Sequence, residues 1–94
     1  MGRETVLFKN EEKKSLADAC ALLRTLADRI ESGSLTLANA AGQVALSLPG
    51  EVTVEIKVEE ETKHRTKRSL EIELEWVEGE EARGQGPSQG LTIS

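Results

Sequence analysis

Hydrophobic and polar positions recur along this chain with two different periods, and the change of period divides it into elements. From Leu16 the apolar residues Leu16, Ala19, Cys20, Leu23, Leu26, Ala27 and Ile30 return at steps of three and four, the spacing that gathers side chains on one stripe of an α-helix. Arg24, Asp28, Arg29 and Glu31 fall mainly on the other faces. Ser15 stands just before this run, with Asp18 three residues on. That pattern resembles a capping box, in which the hydroxyl accepts a backbone N–H that the first turn leaves without a partner. Gly33 sits where a helix commonly closes in the left-handed conformation, which glycine adopts cheaply because it has no Cβ. Together these signals predict an amphipathic helix over residues 16–32.

Beyond Gly33 the period falls to two. Leu35 and Leu37 alternate with Ser34 and Thr36, and Val44, Leu46 and Leu48 alternate with Gln43, Ala45 and Ser47 across a turn at Asn39-Ala40-Ala41-Gly42. Pro49-Gly50 marks a second turn, after which Val52, Val54, Ile56 and Val58 alternate with Thr53, Glu55 and Lys57. The last strand is the most regular: Leu70, Ile72, Leu74 and Trp76 on one face, Glu71, Glu73 and Glu75 on the other. A slip of one residue would turn three carboxylates inward, so its orientation is set. Upstream, Thr5–Lys9 has the β-branched and aromatic content of a strand, followed by a polar loop. Residues 59–67 read as one long, mobile connection, and the glycine-rich stretch 79–94 as a disordered tail. The expected fold is α+β, in the order β-α-β-β-β-β. It is an antiparallel β-meander with one amphipathic helix packed on one face, forming a single domain over residues 3–78.

Four segments in this order resemble the amphi-Trp domain family: TVLFKNEEKKS, SLADACALLRTLADRIESG, LTLANAAGQVALSLPGEVTVEIKVE and TKRSLEIELEW. That family is named for a strongly amphipathic strand ending in tryptophan, which LEIELEW at 70–76 matches. The resemblance implies the domain boundary and brings with it no activity, ligand or catalytic residue.

Composition narrows the function classes. The chain has 94 residues, 37% hydrophobic and 31% charged, which suits one small soluble domain. No apolar run approaches the 18 or so residues that a membrane-spanning helix needs, so no membrane association is expected. Twelve Lys and Arg against 17 Asp and Glu leave a net charge of −5, a field that repels nucleic acid. A single cysteine, Cys20, excludes an internal disulfide and points to a reducing cytoplasm. Met1–Val6 has no continuous apolar stretch, so no export leader is expected.

Two clusters are candidate interaction surfaces. Lys63, His64, Arg65, Lys67 and Arg68 form a basic segment able to hold a phosphate or an RNA backbone. Glu59, Glu60 and Glu61 precede it and no aromatic is interleaved for base stacking, so a solvated hairpin tip accounts for the charges equally well. Glu71, Glu73 and Glu75, with Glu55 on the neighbouring strand, form an acidic ladder suited to a cation, to acid–base chemistry with His64 as proton shuttle, or to a basic partner. Carboxylates on an open sheet face have similar surroundings, whereas a catalytic pair needs its two pKa values pushed apart. One register sets Lys57 against Glu73, an ordinary cross-strand charge match. Trp76 is in phase with the apolar face and its indole N–H wants an acceptor. Cys20 lies on the helix stripe, where a thiol behaves as a small hydrophobe. No cofactor, metal or catalytic residue is expected.

Geometry then raises the question of a partner. Five strands at about 4.8 Å spacing make a sheet roughly 24 Å wide, and one helix is about 10–12 Å across. Half the apolar face would stay in water unless the sheet curls tightly around the helix or a second molecule covers the remainder, for which a symmetric homodimer is the commonest solution. The expected function is a non-enzymatic protein-binding or assembly module. Nucleic-acid or phosphate binding through residues 63–68 and a small enzyme using Glu or Asp residues are the alternatives.

Overall fold

The computed structural model describes residues 2–79 and 90–94. The protein is α+β: one helix is followed by four strands that form two antiparallel hairpins, in the order α-β-β-β-β. The chain divides into two compact units, Met1–Leu48 and Pro49–Ser94.

The first unit holds the helix α1 (Leu16–Glu31) and the strands β1 (Ser34–Asn39) and β2 (Gly42–Ser47). Local chemistry sets both ends of α1. At its start the Ser15 hydroxyl accepts the Asp18 N–H at 3.0 Å. At its end the Ser32 N–H donates to the Arg29 carbonyl at 3.1 Å, and the Gly33 N–H donates to that of Ile30 at 2.9 Å. Gly33 has φ +95°, the left-handed region in which a Cβ would be strained. β1 and β2 pair with Leu35 opposite Leu46 and Leu37 opposite Val44, which puts the four side chains on one face. The Leu48 N–H continues this ladder by donating to the Gly33 carbonyl at 2.9 Å. Leu35 is buried and Leu37, Val44, Leu46 and Leu48 are half-buried. The helix lies against β1 and contributes Ala19, Cys20, Leu26 and Ile30, also half-buried, whereas Leu16, Leu22 and Leu23 remain exposed.

Thr5–Lys9 forms no strand, which corrects the expected leading element. Val6 and Leu7 are exposed, and among the described residues the segment pairs with no sheet edge; strand propensity acts through cross-strand neighbours, which the segment lacks there. The segment is instead held by Asn39, whose side-chain N–H groups donate to the Lys9 carbonyl and to Asn10 Oδ1, each at 2.9 Å. The Asn39 Oδ1 accepts the Ala41 N–H at 3.0 Å and so braces the β1–β2 turn as well.

The second unit is the hairpin of β3 (Thr53–Thr62) and β4 (Thr66–Glu75). Among the described residues the strands do not form one continuous meander: β2 pairs only with β1, and β3 only with β4. Pro49 lies between β2 and β3, and proline has no N–H to give to a ladder. The loop between β3 and β4 is three residues, Lys63-His64-Arg65, instead of a long mobile connection, because Glu59–Thr62 and Thr66–Lys67 belong to the paired strands. Among the described residues no helix is long and apolar enough to cross a membrane. Most of the expected tail, residues 80–89, lies outside the described residues.

Candidate functional site

The hairpin has two unlike faces, and its register shows how each is built. On one face Val54 stands opposite Leu74, Ile56 opposite Ile72 and Val58 opposite Leu70. Leu74 is half-buried, while the other five are exposed, from 41% at Ile56 to 68% at Val58. Toward the turn the same face continues with Glu60 opposite Arg68 and Thr62 opposite Thr66. The Arg68 guanidinium and the Glu60 carboxylate are 3.6 Å apart, and the two threonine hydroxyls 3.3 Å. An apolar band therefore ends in an ion pair and a polar cap. Beyond β4, Trp76 is half-buried and its indole N–H donates to Glu78 Oε1 at 3.4 Å.

The other face is charged. Thr53 opposes Glu75, Glu55 opposes Glu73, Lys57 opposes Glu71, Glu59 opposes Ser69 and Glu61 opposes Lys67. Lys57 thus meets Glu71, 3.7 Å away, and not Glu73; its Nζ also lies 3.7 Å from Glu59. The three-residue turn decides this register, since bringing Thr62 opposite Thr66 forces Lys57 onto Glu71. Glu59 first, then Glu71, raises the Lys57 ammonium above its ordinary pKa. Glu55 and Glu73 are left as a like pair. The Glu73 carboxyl is pushed above its ordinary value, first by the hydrogen bond it shares with Glu55, then by the charge of Glu75, with Lys57 pulling the other way.

The basic and acidic candidates do not converge. Lys63, His64 and Arg65 occupy the turn, and Lys63 lies 3.7 Å from Glu61. Lys67 and Arg68 are strand residues on opposite faces, Lys67 with the carboxylates and Arg68 on the apolar side. Glu73 is seven strand residues beyond Thr66, roughly 23 Å along the strand, so His64 at the tip is not within proton-transfer reach of it. A shallow depression on the charged side is lined by Glu59, Glu60, Glu61, Lys67, Ser69 and Glu71. Among the described residues no three His, Cys, Asp or Glu side chains are placed to hold a metal ion.

Two features were missed in reading the sequence. Glu59–Glu61 are strand residues that neutralise the basic segment from across the hairpin and beside it. The available signal is positional only: Glu60 and Thr62 fall in phase with Val54, Ile56 and Val58, but the apolar alternation itself stops at Val58. Asn39 and its grip on Lys9 and Asn10 had no sequence signal.

The apolar face of the hairpin runs out in a tryptophan, and the family model for the Amphi-Trp domain matches residues 1–94. The chain belongs to the Amphi-Trp domain family. No curated protein and no solved structure matches it. In this Amphi-Trp domain the amphipathic strand is β4, and Trp76 follows its last residue.

Proposed function

We propose that this Amphi-Trp domain is a non-enzymatic protein-binding module of the cytoplasm that assembles as a homodimer through its β3–β4 hairpin and offers the hairpin's apolar surface to a protein partner. One observation carries the reading: three facing apolar pairs, Val54/Leu74, Ile56/Ile72 and Val58/Leu70, with five of the six side chains exposed. A two-stranded hairpin is marginal in water by itself, and a contiguous apolar patch on a small protein marks a surface that another molecule covers. The opposite face, with its run of carboxylates, keeps association confined to one side. Pairing of Arg68 with Glu60 and of Lys63 with Glu61 reduces what the basic segment offers to a phosphate backbone. The unbridged Cys20 suits a reducing compartment.

Sedimentation velocity at micromolar concentration tests the reading. The expected mass is that of a dimer, and Leu70→Ser with Ile72→Ser is expected to shift it toward the monomer without loss of helix content. A monomeric wild-type chain throughout the micromolar range would overturn the proposal.

A further inference from the structure

The charges along β4 determine how two copies meet. Among the described residues each sheet has two strands, so β4 has an edge unpaired there, as does β3. Charge changes sign along β4: Arg65, Lys67 and Arg68 lie at the turn end, Glu71, Glu73 and Glu75 at the other. A strand with opposite charges at its two ends matches a copy of itself laid antiparallel. Lys57, Lys63 and Arg68 each have a carboxylate partner within the chain. Arg65, Lys67, Glu73 and Glu75 have no ion pair among the described residues, although they carry the charge asymmetry of the edge.

We infer that two copies of this chain join edge to edge through antiparallel β4 strands, about a two-fold axis at Leu70, to make one four-stranded sheet. This rests on the assembly reading above and specifies its geometry. About that axis Leu70 faces its own copy, Ser69 faces Glu71 and Lys67 faces Glu73, and the paired strands run from Thr66 to Leu74. Lys67 and Glu73, which lack ion pairs among the described residues, thus become one pair that occurs twice, and Arg65 of the turn and Glu75 lie just beyond the two ends of the ladder. On the other face Arg68 lies opposite Ile72, where its methylene stem covers apolar surface, and the two apolar bands run together.

The neighbouring registers are poorer. Centring on Glu71 sets that carboxylate against itself, and centring on Ser69 shortens the overlap to Thr66–Ile72. The β3 edge is unsuited to self-pairing, because Glu55, Glu59, Glu60 and Glu61 outnumber Lys57 along it. Exposed ion pairs are individually weak. Their part is to choose the edge, direction and register, while the backbone ladder and the joined apolar bands supply affinity.

Charge reversal tests the pairing. Lys67→Glu is expected to weaken the dimer about tenfold at low salt, since it places like charges at two symmetry-related positions. Adding Glu73→Lys to the same chain swaps both signs and is expected to restore the wild-type dissociation constant. Cross-linking tests the register. In a Cys20→Ala background, Leu70→Cys is expected to form an intermolecular disulfide on mild oxidation, because residues facing each other across a strand pair have Cα atoms within disulfide range. Val58→Cys, on the far strand, is expected not to. Leu70 is 65% exposed in the single chain, so its replacement leaves folding intact. A wild-type dimer that ignores both charge changes, or that cross-links through Val58→Cys and not Leu70→Cys, would overturn the edge geometry and leave the assembly reading standing. A monomeric wild type would overturn both.

Discussion

Glu73 is the residue whose surroundings fit it least. In the isolated chain it faces Glu55 and neighbours Glu75, with Lys57 the one compensating charge, and its pKa is raised. The folded hairpin therefore holds that proton more tightly than the unfolded chain does. Stability falls as pH rises through the unfolded and then the raised folded value, and recovers as pH drops below them. Glu73→Gln is accordingly expected to stabilise the monomeric hairpin at neutral pH, with the gain vanishing under acidic conditions. Amide hydrogen exchange of β3 and β4 across pH, at a dilution where the chain is monomeric, measures this; a neutral-pH loss of protection would contradict it. At concentrations that support the edge dimer the sign is expected to reverse, since Glu73 then faces the Lys67 of the other copy. One substitution thus separates what the side chain costs its own hairpin from what it contributes between copies.

The two hairpins differ in how they use apolar residues, and this sets the cost of truncating them. Leu35 is 9% exposed, packed in β1 beneath α1, and Leu35→Ala is expected to cost about 2–5 kcal/mol, the range for a cavity opened in a core. Ile72 is 50% exposed, so in the monomer Ile72→Ala is expected to cost roughly 1 kcal/mol or less, in proportion to the area it has withdrawn from water. Denaturant unfolding followed by exchange at residues of each unit distinguishes the two, and equal costs would mean that β4 is packed in the single chain as tightly as β1. The helix was legible in the sequence because the Ser15 cap, the apolar stripe and Gly33 all act within a few residues of one another. The alternation of β4 was legible for the same reason, and with it the shared face of Glu71, Glu73 and Glu75. The partner of each strand was not. Thr5–Lys9 has strand-forming residues and no edge to join. Glu59–Glu61 and Lys67 resemble a solvated loop until their cross-strand neighbours are known. Lys57 meets Glu71 because the turn is three residues long, a length that charge pattern alone does not encode. Within the basic segment, the placement of Lys67 and Arg68 on opposite faces follows only from that register.

Among the described residues the buried side chain is Leu35, and the hairpin leaves most of its apolar side chains in water, which is the ground for the proposed assembly. Two copies joined at β4 offer a platform four strands, or about 19 Å, across, whose apolar side is suited to a protein partner and whose other side is acidic. The unequal edges of the hairpin have a further consequence for what happens after two copies meet. The proposed pairing would use both self-matching edges and leave outermost the two β3 strands, whose carboxylates repel one another, so growth is expected to stop at the dimer instead of propagating as a filament. Lysine in place of Glu59 and Glu61 is expected to remove that brake by giving β3 mixed signs of its own, and light scattering at neutral pH, flat for the wild type and raised for this variant, would register it. In the proposed assembly the acidic strand would thus be a chain terminator, with the number of copies governed by the edge that does not bind.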